Sequence, residues 1–306
     1  LVGSEMCIRD SLRGVQYNFV KITNESIEDE QMKVFFKRLG YFILFGILII
    51  LYSTFVEPKL LRVISHDVPL SKIQGEAIKV VQFSDTHIGD FFTLEDLQEV
   101  VDKINEQDVD LVLFTGDLMD NAANYDGAID EIAIVLSKIK SKFGKYAVFG
   151  NRDYGGGAER FYEDLMESAG FNVLLNNHET LNIKGTTLSL FGADDALIGY
   201  YDSVQTMKGI QENHLNLLML HEPDLADDFI NYPVDLVVAG HSHGGQVYIP
   251  FVGPLMTTAL AEKYVRGFYE INRDMNLYVN TGIGNTKAPF RLFNVPQITV
   301  FYLKTK

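Results

Sequence analysis

The chain of 306 residues contains a single cysteine, which excludes an internal disulfide bond and a cysteine-rich zinc site. Any bound metal must therefore be held by His, Asp, Glu or Asn side chains. Basic residues are also scarce, because 26 Lys and Arg face 41 Asp and Glu for a net charge of −15. Binding to nucleic-acid phosphates needs clustered cations, so no nucleic-acid partner is expected. The 47% apolar and 22% charged residues are typical of a globular chain rather than a disordered one.

The N-terminal segment 1–31 is predicted to be an extension that does not belong to the natural protein. The chain begins at Leu1 rather than Met, and residues 4–11 resemble translated sequencing-adapter sequence. Met32 is the predicted natural start, because it opens a short basic segment directly before a long apolar run. An ordinary polar cytoplasmic tail is the alternative interpretation. In either case the segment does not contribute to the predicted fold.

The apolar run 39–56 is predicted to be a membrane anchor. It contains no formally charged residue, and its length is close to the lower limit for a helix that crosses a hydrocarbon core of about 30 Å. No small-residue cleavage site follows, which favours an uncleaved anchor over a signal peptide; a buried core helix is the alternative. The lipid bilayer is therefore one predicted partner. The basic flank before the run favours a cytoplasmic N-terminus, which would place the rest of the chain outside the cytoplasm. Because this preference is weak, the side of the membrane that carries the rest of the chain stays open.

Beyond a predicted linker at 57–77, apolar strand runs alternate with helical patterns, which is typical of an α/β domain with a central sheet. This domain is predicted to span 78–306. Thr93 is expected to cap a helix, with Asp96 as its capping-box partner. Strands are predicted at 78–83, 111–114, 146–149, 215–220, 234–238, 247–249, 277–279 and 298–303, and further helices at 128–140 and 159–168.

Five of the predicted strands end, within a few residues, in side chains that can ligate a metal ion. Ligand sites in open α/β sheets lie at the carboxyl ends of the strands, so these side chains are expected to converge in one crevice. Four of the seven histidines of the chain belong to the set, and the other three, His66, His178 and His214, are expected to be structural. The set consists of Asp85, His87, Asp117, Asn151, His221, His241 and His243.

These ligand types favour Mn, Fe or Zn, because a cage of oxygen atoms alone would suit Mg or Ca better. One bridging carboxylate can hold two cations about 3.5–4 Å apart, the spacing that stabilises the attacking and leaving oxygens in phosphoryl transfer. Such cations also lower the pKa of bound water, which provides hydroxide near neutral pH. The set therefore predicts two divalent metal ions, Mn²⁺ first among them, and hydrolysis at phosphorus.

The motifs at these strand ends resemble those of the calcineurin-like metallophosphoesterase family, and the resemblance covers residues 80–303. They are Asp85-x-His87, Gly116-Asp117, Gly150-Asn151, His221 and Gly240-His241-x-His243. The resemblance implies a four-layer αββα sandwich, in which two mixed sheets are flanked by helices, preceded here by one N-terminal membrane helix. It also implies two metal sites that share Asp117: the first with Asp85, His87 and His243, the second with Asn151, His221 and His241.

Within that family the chain is similar to a membrane-associated bacterial branch. It shares with that branch the N-terminal anchor, the segment 221–224, the glycine pair before Gln246 and the segment 282–291. This similarity implies a location at the bacterial inner membrane.

Arg152 stands where most family members have histidine, a residue thought to protonate the leaving group. Arginine stays charged and cannot act as a general acid, but its rigid fork of donors binds phosphate oxygens. A phosphate leaving group, with a second pKa of about 6, needs no such acid, whereas an alkoxide does. Arg152 therefore shifts the expected reaction from alkyl phosphodiesters toward pyrophosphate bonds; neutral drift beside the site is the alternative. The Gly-Asn-Arg-Asp motif at 150–153 also resembles that of the UDP-2,3-diacylglucosamine hydrolases of lipid A synthesis.

The sequence thus predicts a membrane-anchored di-metal phosphoesterase in which Asp117, Asn151 and Arg152 take part in catalysis. The expected substrate is phosphorylated and lipid-linked, in the first place UDP-2,3-diacylglucosamine. A UDP-sugar is cytoplasmic, so this substrate conflicts with the orientation that the charges favour. A broad-specificity membrane-tethered phosphodiesterase and a metal-binding interaction module without catalysis are the alternatives. Asp194 and Asp195 are interpreted as loop residues without a catalytic role.

Overall fold

A computed structural model describes residues 2–286 and 288–306 of the chain. These residues divide into one unit that ends at Tyr52 and a second unit, Ser53–Lys306. The first unit is helix α1 (Val2–Leu51). The segment Asp29–Lys59 is long and apolar enough to cross a membrane, and it contains the predicted anchor 39–56. By length and composition, it supports a membrane anchor.

The second unit begins with short irregular turns at Tyr52–Val56 and Glu57–Lys59 and then alternates strands with helices. Its α-helices in the described residues are α2 (Leu94–Asn105), α3 (Ile129–Ser137), α4 (Asn151–Gly155), α5 (Tyr162–Ser168) and α6 (Ser203–Thr206). Its strands are β1 (Arg62–Pro69), β2 (Ile78–Phe83), β3 (Leu111–Phe114), β4 (Lys145–Ala147), β5 (Asn172–Val173), β6 (Asn177–Ile183), β7 (Thr186–Gly192), β8 (Leu215–Met219), β9 (Leu236–Ala239), β10 (Tyr248–Ile249), β11 (Gly253–Pro254), β12 (Gly267–Glu270), β13 (Asn276–Val279) and β14 (Gln297–Lys304).

Most of the strands form two six-stranded mixed sheets. The first has the order β1–β14–β2–β3–β4–β5, in which only the β14–β2 pair is antiparallel. The second has the order β12–β13–β9–β8–β7–β6, with parallel pairing in its centre and antiparallel pairing at both edges. A separate hairpin of β10 and β11 follows the last part of the predicted metal site.

Alternating side chains of the central strands connect these layers. Leu111 and Leu113 of β3 pack between the two sheets, whereas Val112 and Phe114 pack against α2, α3 and α5. In β8, Leu217 enters the core between the sheets and Leu218 packs toward the 3₁₀ helix Pro223–Phe229. Strands buried on both faces explain why the sequence shows continuous apolar runs there. The predicted four-layer αββα sandwich is confirmed.

The sequence had indicated a linker at 57–77, but the structure shows that this prediction is wrong. The segment contains β1, which pairs in parallel with β14 over its whole length, from Arg62 opposite Gln297 to Pro69 opposite Lys304. The compact unit therefore begins at Ser53 rather than at residue 78. The prediction failed because β1 is a half-exposed edge strand with polar residues at several positions, and its partner lies at the other end of the chain.

Other predicted elements agree with the structure to different degrees. The strands at 78–83 and 111–114 have the predicted bounds, and Thr93 caps α2 in a reciprocal capping box with Asp96. The helices predicted at 128–140 and 159–168 are shorter, at Ile129–Ser137 and Tyr162–Ser168. The antiparallel pair β6–β7 and the strands β5 and β12 had not been predicted.

Candidate metal centre

The predicted ligands lie at the carboxyl ends of strands from both sheets. In the first sheet, Asp85 and His87 follow β2, Asp117 follows β3, and Asn151 begins α4 just beyond β4. In the second sheet, His221 follows β8, and the pair His241 and His243 follows β9. The chain thus brings all seven together at one end of the sandwich, as the sequence had predicted.

The first group of ligand atoms comes from Asp85, His87 and His243, all of which are buried. The Nε2 atoms of His87 and His243 lie 2.8 Å apart, and the Oδ1 atom of Asp85 lies 3.5 Å from His243 Nε2. Two imidazole nitrogens and a carboxylate oxygen that converge on one point form a donor set that suits Mn, Fe or Zn.

The second group comes from Asp117, His221 and His241, which are also buried. His241 Nδ1 lies 3.1 Å from His221 Nε2, and Asp117 Oδ2 lies 3.3 Å from the same nitrogen. Asn151 Oδ1 approaches His221 Nε2 to 3.3 Å, so the amide oxygen adds a fourth donor. The two groups fit a dinuclear metal centre.

Asp117 lies between the two groups. Its Oδ2 atom is 3.5 Å from His87 Nε2 in the first group and 3.3 Å from His221 Nε2 in the second. Its other oxygen, Oδ1, accepts the backbone N–H of Arg152 at 2.7 Å. This hydrogen bond fixes the carboxylate plane, so that Oδ2 faces both groups as a bridging ligand would.

Hydrogen bonds to backbone carbonyl groups set the tautomers of two histidines. His221 Nδ1 lies 2.7 Å from the Thr115 carbonyl oxygen, and His241 Nε2 lies 2.8 Å from that of Ala259. A carbonyl oxygen only accepts, so these nitrogens carry a proton, and in the neutral imidazole the opposite nitrogen has the lone pair. Those lone pairs, on His221 Nε2 and His241 Nδ1, are the ones that face the centre.

The backbone of the ligand loops is strained. Five predicted ligands adopt positive φ angles: Asp85 (55°), His87 (46°), Asp117 (61°), His241 (65°) and His243 (48°). Left-handed backbone is uncommon for residues other than glycine, and clusters of it occur at functional sites. Their concentration at five predicted ligands therefore marks these loops as a functional site.

The glycines next to the ligands leave room for them. A Cβ atom on Gly150 would overlap Asp117 Oδ1 and His221 Cε1, and one on Gly240 would overlap Ser84 Oγ and Asp85 Oδ2. The Gly-Asn and Gly-His pairs of the sequence motifs therefore reflect close packing of the backbone against neighbouring ligands.

Asp153, which the sequence analysis did not assign, holds this backbone in place. Its carboxylate accepts the N–H groups of Gly150, Asp117 and Leu118, each at 2.9 Å. Burial, reinforced by the nearby Asp117 carboxylate, raises the pKa of Asp153 to about 7. The sequence signal that could have identified Asp153 is its position three residues after Gly150, where an acidic side chain closes a capping box.

Two further residues contact the metal ligands from behind. Asp120 Oδ1 lies 3.5 Å from His87 Nδ1, and the fully buried Arg291 approaches His243 Nδ1 to 3.4 Å. Burial lowers the pKa of Arg291 to about 10, which leaves the guanidinium charged at neutral pH. No local pattern in the sequence indicates either contact, because Asp120 and Arg291 are both remote along the chain from the histidines that they approach.

Burial and mutual charge set the proton affinities of the ligands. Burial is the largest single influence on the pKa of Asp117 and raises it. The neighbouring imidazoles together outweigh burial and hold this pKa below its usual range. Burial lowers the pKa of His241 to about 4 and that of His243 well below its usual value. For His221, burial lowers the pKa, but the Asp117 and Asp85 carboxylates together raise it well above 6.5. At pH 7, therefore, His221 has to release a proton before it can ligate.

The remaining sequence candidates lie apart from the two groups. His66 packs against the rings of Phe268 and Tyr278, His178 stacks on Phe191, and His214 contacts Ser189 Oγ. The guanidinium of Arg152 contacts Thr286 Oγ1 at 3.3 Å, next to Asp120.

Asp194 and Asp195 lie in a loop and are buried. Their carboxylates accept backbone N–H groups of Tyr200, Ile198 and Gly199, so they order the loop, and Asp194 also accepts the hydroxyl of Tyr154.

Comparisons with known proteins agree with this geometry. The sequence model of the calcineurin-like phosphoesterase family matches residues 78–245. The uncharacterized metallophosphoesterase YkuE of Bacillus subtilis (strain 168) is 38% identical over 257 residues, which cover 83% of this chain and 89% of YkuE. Phosphodiesterase YaeI of Escherichia coli (strain K12) is 27% identical over 256 residues, which cover 82% of this chain and 92% of YaeI.

Among solved structures, a dimetal phosphatase from Danio rerio aligns with a TM-score of 0.46 and 11% identity, over 75% of this chain and 93% of the other. The family match extends over more than half of the chain and contains the motifs at the strand ends up to His243. This chain therefore belongs to the calcineurin-like phosphoesterase family, as a metal-dependent phosphoester hydrolase.

Proposed function

We propose that this hydrolase is anchored in the bacterial inner membrane and cleaves the pyrophosphate bond of a lipid-linked nucleotide diphosphate, in the first place UDP-2,3-diacylglucosamine. Two divalent ions, Mn²⁺ by preference, are held by the ligand groups around Asp117. The observation that carries the choice of bond is Arg152, whose backbone N–H donates to the bridging carboxylate and whose guanidinium contacts Thr286.

The metal ions, when bound, stabilise negative charge on phosphoryl oxygens and lower the pKa of water to near neutrality. The residues of the chain would hold these ions and orient the ligand atoms toward them. Asp117 Oδ2 faces both ligand groups because Oδ1 is occupied by the Arg152 N–H. Asn151 offers its amide oxygen next to His221.

Arg152 favours a leaving group that departs without a proton. Its guanidinium cannot act as an acid at neutral pH, but it can pair with phosphate oxygens through two parallel donors. It is half-buried and contacts Thr286, whose hydroxyl in turn donates to Asp120. A nucleoside monophosphate, with a second pKa of about 6, leaves readily under these conditions. An alkoxide, comparable to hydroxide at a pKa of about 15.7, does not.

The apolar segment Asp29–Lys59 supports a lipid-linked substrate. A hydrolase tethered to a bilayer meets substrates that diffuse in the same membrane, and these keep their acyl chains in the lipid. This proposal requires the metal centre to face the cytoplasm, opposite to the weak preference of the flanking charges.

The test is the release of UMP from UDP-2,3-diacylglucosamine by the full chain in detergent micelles with Mn²⁺. Asp117→Asn serves as the control for a contaminating hydrolase. Release by the wild type alone is expected. A metal-loaded wild type that hydrolyses a generic phosphodiester but releases no UMP would contradict the lipid nucleotide as substrate and keep the enzyme class.

A broad-specificity phosphodiesterase is the second candidate, favoured by the name of the relative YaeI. Comparable turnover of unrelated phosphodiesters in the same assay would support it. A non-catalytic interaction module is disfavoured, because all the predicted ligands converge at the strand ends. Fully metal-loaded protein without turnover of any phosphate ester would be evidence for such a module.

A further inference from the structure

Residues 246–260 form a long uncharged stretch of the second unit. The segment contains no Asp, Glu, Lys, Arg or His, although the whole chain carries a net charge of −15. It includes the hairpin of β10 and β11, whose strands contribute only two residues each. Such a short hairpin is not stabilised by its own pairing, and an uncharged exposed loop needs another explanation.

The tip of this hairpin is apolar and exposed. Phe251 is completely exposed, Val252 is 76% exposed and Met256 is 71% exposed, with Leu255 beside them. Apolar side chains in this number are rarely exposed together on a surface that faces only water.

A second loop adds to the same surface. The Tyr248 N–H donates to the Leu292 carbonyl at 2.9 Å, and the Leu292 N–H donates to the Gln246 carbonyl at 3.0 Å. These bonds place the exposed Phe290 and Phe293 beside the hairpin. We call the combined surface the apolar ridge; it consists of Phe251, Val252, Leu255, Met256, Phe290 and Phe293.

A cation lies at the base of the apolar ridge. The Arg266 guanidinium stacks 3.3 Å above the centre of the Tyr248 ring and donates to the Phe293 carbonyl oxygen at 3.1 Å. An apolar tip with an arginine at its base is complementary to a lipid surface, where acyl chains lie beneath anionic headgroups.

The apolar ridge is also continuous with the end of the apolar run. The Arg291 N–H donates to the Ser53 carbonyl at 2.9 Å, and the Asn294 N–H donates to Glu57 Oε1 at 2.5 Å. Phe55, between these two anchor points, is 69% exposed. Residues 53–57 belong to the segment that is apolar enough to cross a membrane, and successive Cα atoms are only 3.8 Å apart. A bilayer that reaches residues 53–56, at the end of the apolar run, therefore lies close to the loop 290–294.

We propose that the apolar ridge is a second membrane contact, which inserts into the interfacial region of the phospholipid bilayer. It is connected to the metal centre through Ala259, whose carbonyl accepts the His241 Nε2–H. Docking of the apolar ridge thus holds the strand ends with their ligands at the level of the lipid headgroups. The proposal rests on the membrane anchor of the proposed function, but it does not depend on which phosphate ester is hydrolysed.

The test uses tryptophan as a depth reporter, because the natural sequence contains none. The full chain is reconstituted in vesicles of phosphatidylcholine and phosphatidylglycerol, with and without lipids brominated on their acyl chains. Phe251→Trp and Met256→Trp report from the apolar ridge. Phe143→Trp is the matched control, since this exposed aromatic side chain precedes β4, at the opposite end of the sheet from the ligands.

Emission of both ridge tryptophans should shift to shorter wavelength in vesicles and lose most of its intensity with brominated lipids. Emission of the control tryptophan at position 143 should show neither the shift nor the loss. Equal emission and quenching at all three positions would overturn the proposal. A shift to shorter wavelength without quenching by brominated lipid would overturn it as well. In that case a second copy of the chain or another protein surface, rather than lipid, covers the apolar ridge.

Discussion

Asp153→Asn separates the charge of this buried carboxylate from its role as a hydrogen-bond acceptor. The carboxylate is completely buried and accepts three backbone N–H groups around the bridging ligand Asp117. Asparagine has nearly the same shape but only one acceptor oxygen, and it does not titrate. The comparison with wild type at two pH values therefore reports on the buried charge itself.

The size of the expected change in stability with pH follows from the raised pKa of Asp153, which is about 7 in the folded chain against an ordinary value of 3.8. Because the folded chain binds this proton more tightly than the unfolded chain, wild type loses stability as the pH rises from 5 to 8. Nearly two pKa units are crossed in that window, at 1.36 kcal/mol each, so the loss amounts to about 3 kcal/mol. The N–H group that asparagine leaves without an acceptor costs about 1–3 kcal/mol at both pH values.

The assay is urea unfolding of the chelator-treated full chain in detergent at pH 5 and pH 8. Asp153→Asn should be less stable than wild type at pH 5, and the difference should move in favour of the variant by about 3 kcal/mol at pH 8. A difference that is the same at both pH values would refute the argument that a buried charge next to Asp117 opposes folding.

Metal binding reverses the sign of this effect, because cations next to Asp117 favour the ionised carboxylate of Asp153. The variant should bind Mn²⁺ about 10–100-fold more weakly, as expected when a residue that orients a ligand is removed. Asp110→Asn is the matched control: Asp110 is a buried carboxylate that accepts the Lys79 N–H and pairs with Lys184 before β3, at the far end of the sheet. Its replacement should lower stability at both pH values and leave metal affinity unchanged.

Three further predictions concern the ligands and their neighbour. Asp117→Asn should lower both bound metal and turnover of every phosphate ester, because it alters the carboxylate between the two groups; full turnover at wild-type metal content would contradict that role. Metal binding at pH 7 should release at least one proton, from His221, and affinity should rise with pH. Calorimetry in buffers of different ionisation enthalpy measures this release, and its absence would refute the assignment. Arg152→His should speed hydrolysis of alkyl phosphodiesters relative to pyrophosphates by up to about 10²-fold; equal effects on both substrates would refute the leaving-group argument.

The sequence was most informative where strands are buried on both faces. In β2 and β3, continuous apolar runs end abruptly in polar residues, so both the strand bounds and the ligands beyond them could be read. The capping box of Thr93 is likewise a local pattern of residue types at fixed spacing. These features depend on neighbours along the chain and on burial, which the sequence reports directly.

Features that depend on distant partners could not be read in this way. The strand β1 exists because β14, at the other end of the chain, offers its edge, and an alternating polar sequence does not reveal such an edge. The contacts of Asp120 with His87 and of Arg291 with His243 arise only when loops from different strands meet. The strand predicted at 247–249 corresponds to β10, but nothing local indicated that the apolar side chains of the hairpin tip around Phe251 face outward.

The conformation of the ligand loops was the least accessible to prediction. Each left-handed residue other than glycine costs about 1–2 kcal/mol, and local propensity would not place Asp117 or His241 there. Hydrogen bonds around these loops offset this cost. Asp153 accepts the N–H of Asp117, and both oxygens of Asp85 accept the N–H of His241 at 3.0 Å. The sheets therefore fix where each ligand starts, and this network of buried carboxylates fixes where it points. It follows that the buried carboxylates behind the ligands, and not the apolar core, determine whether the centre has the geometry to hold two cations.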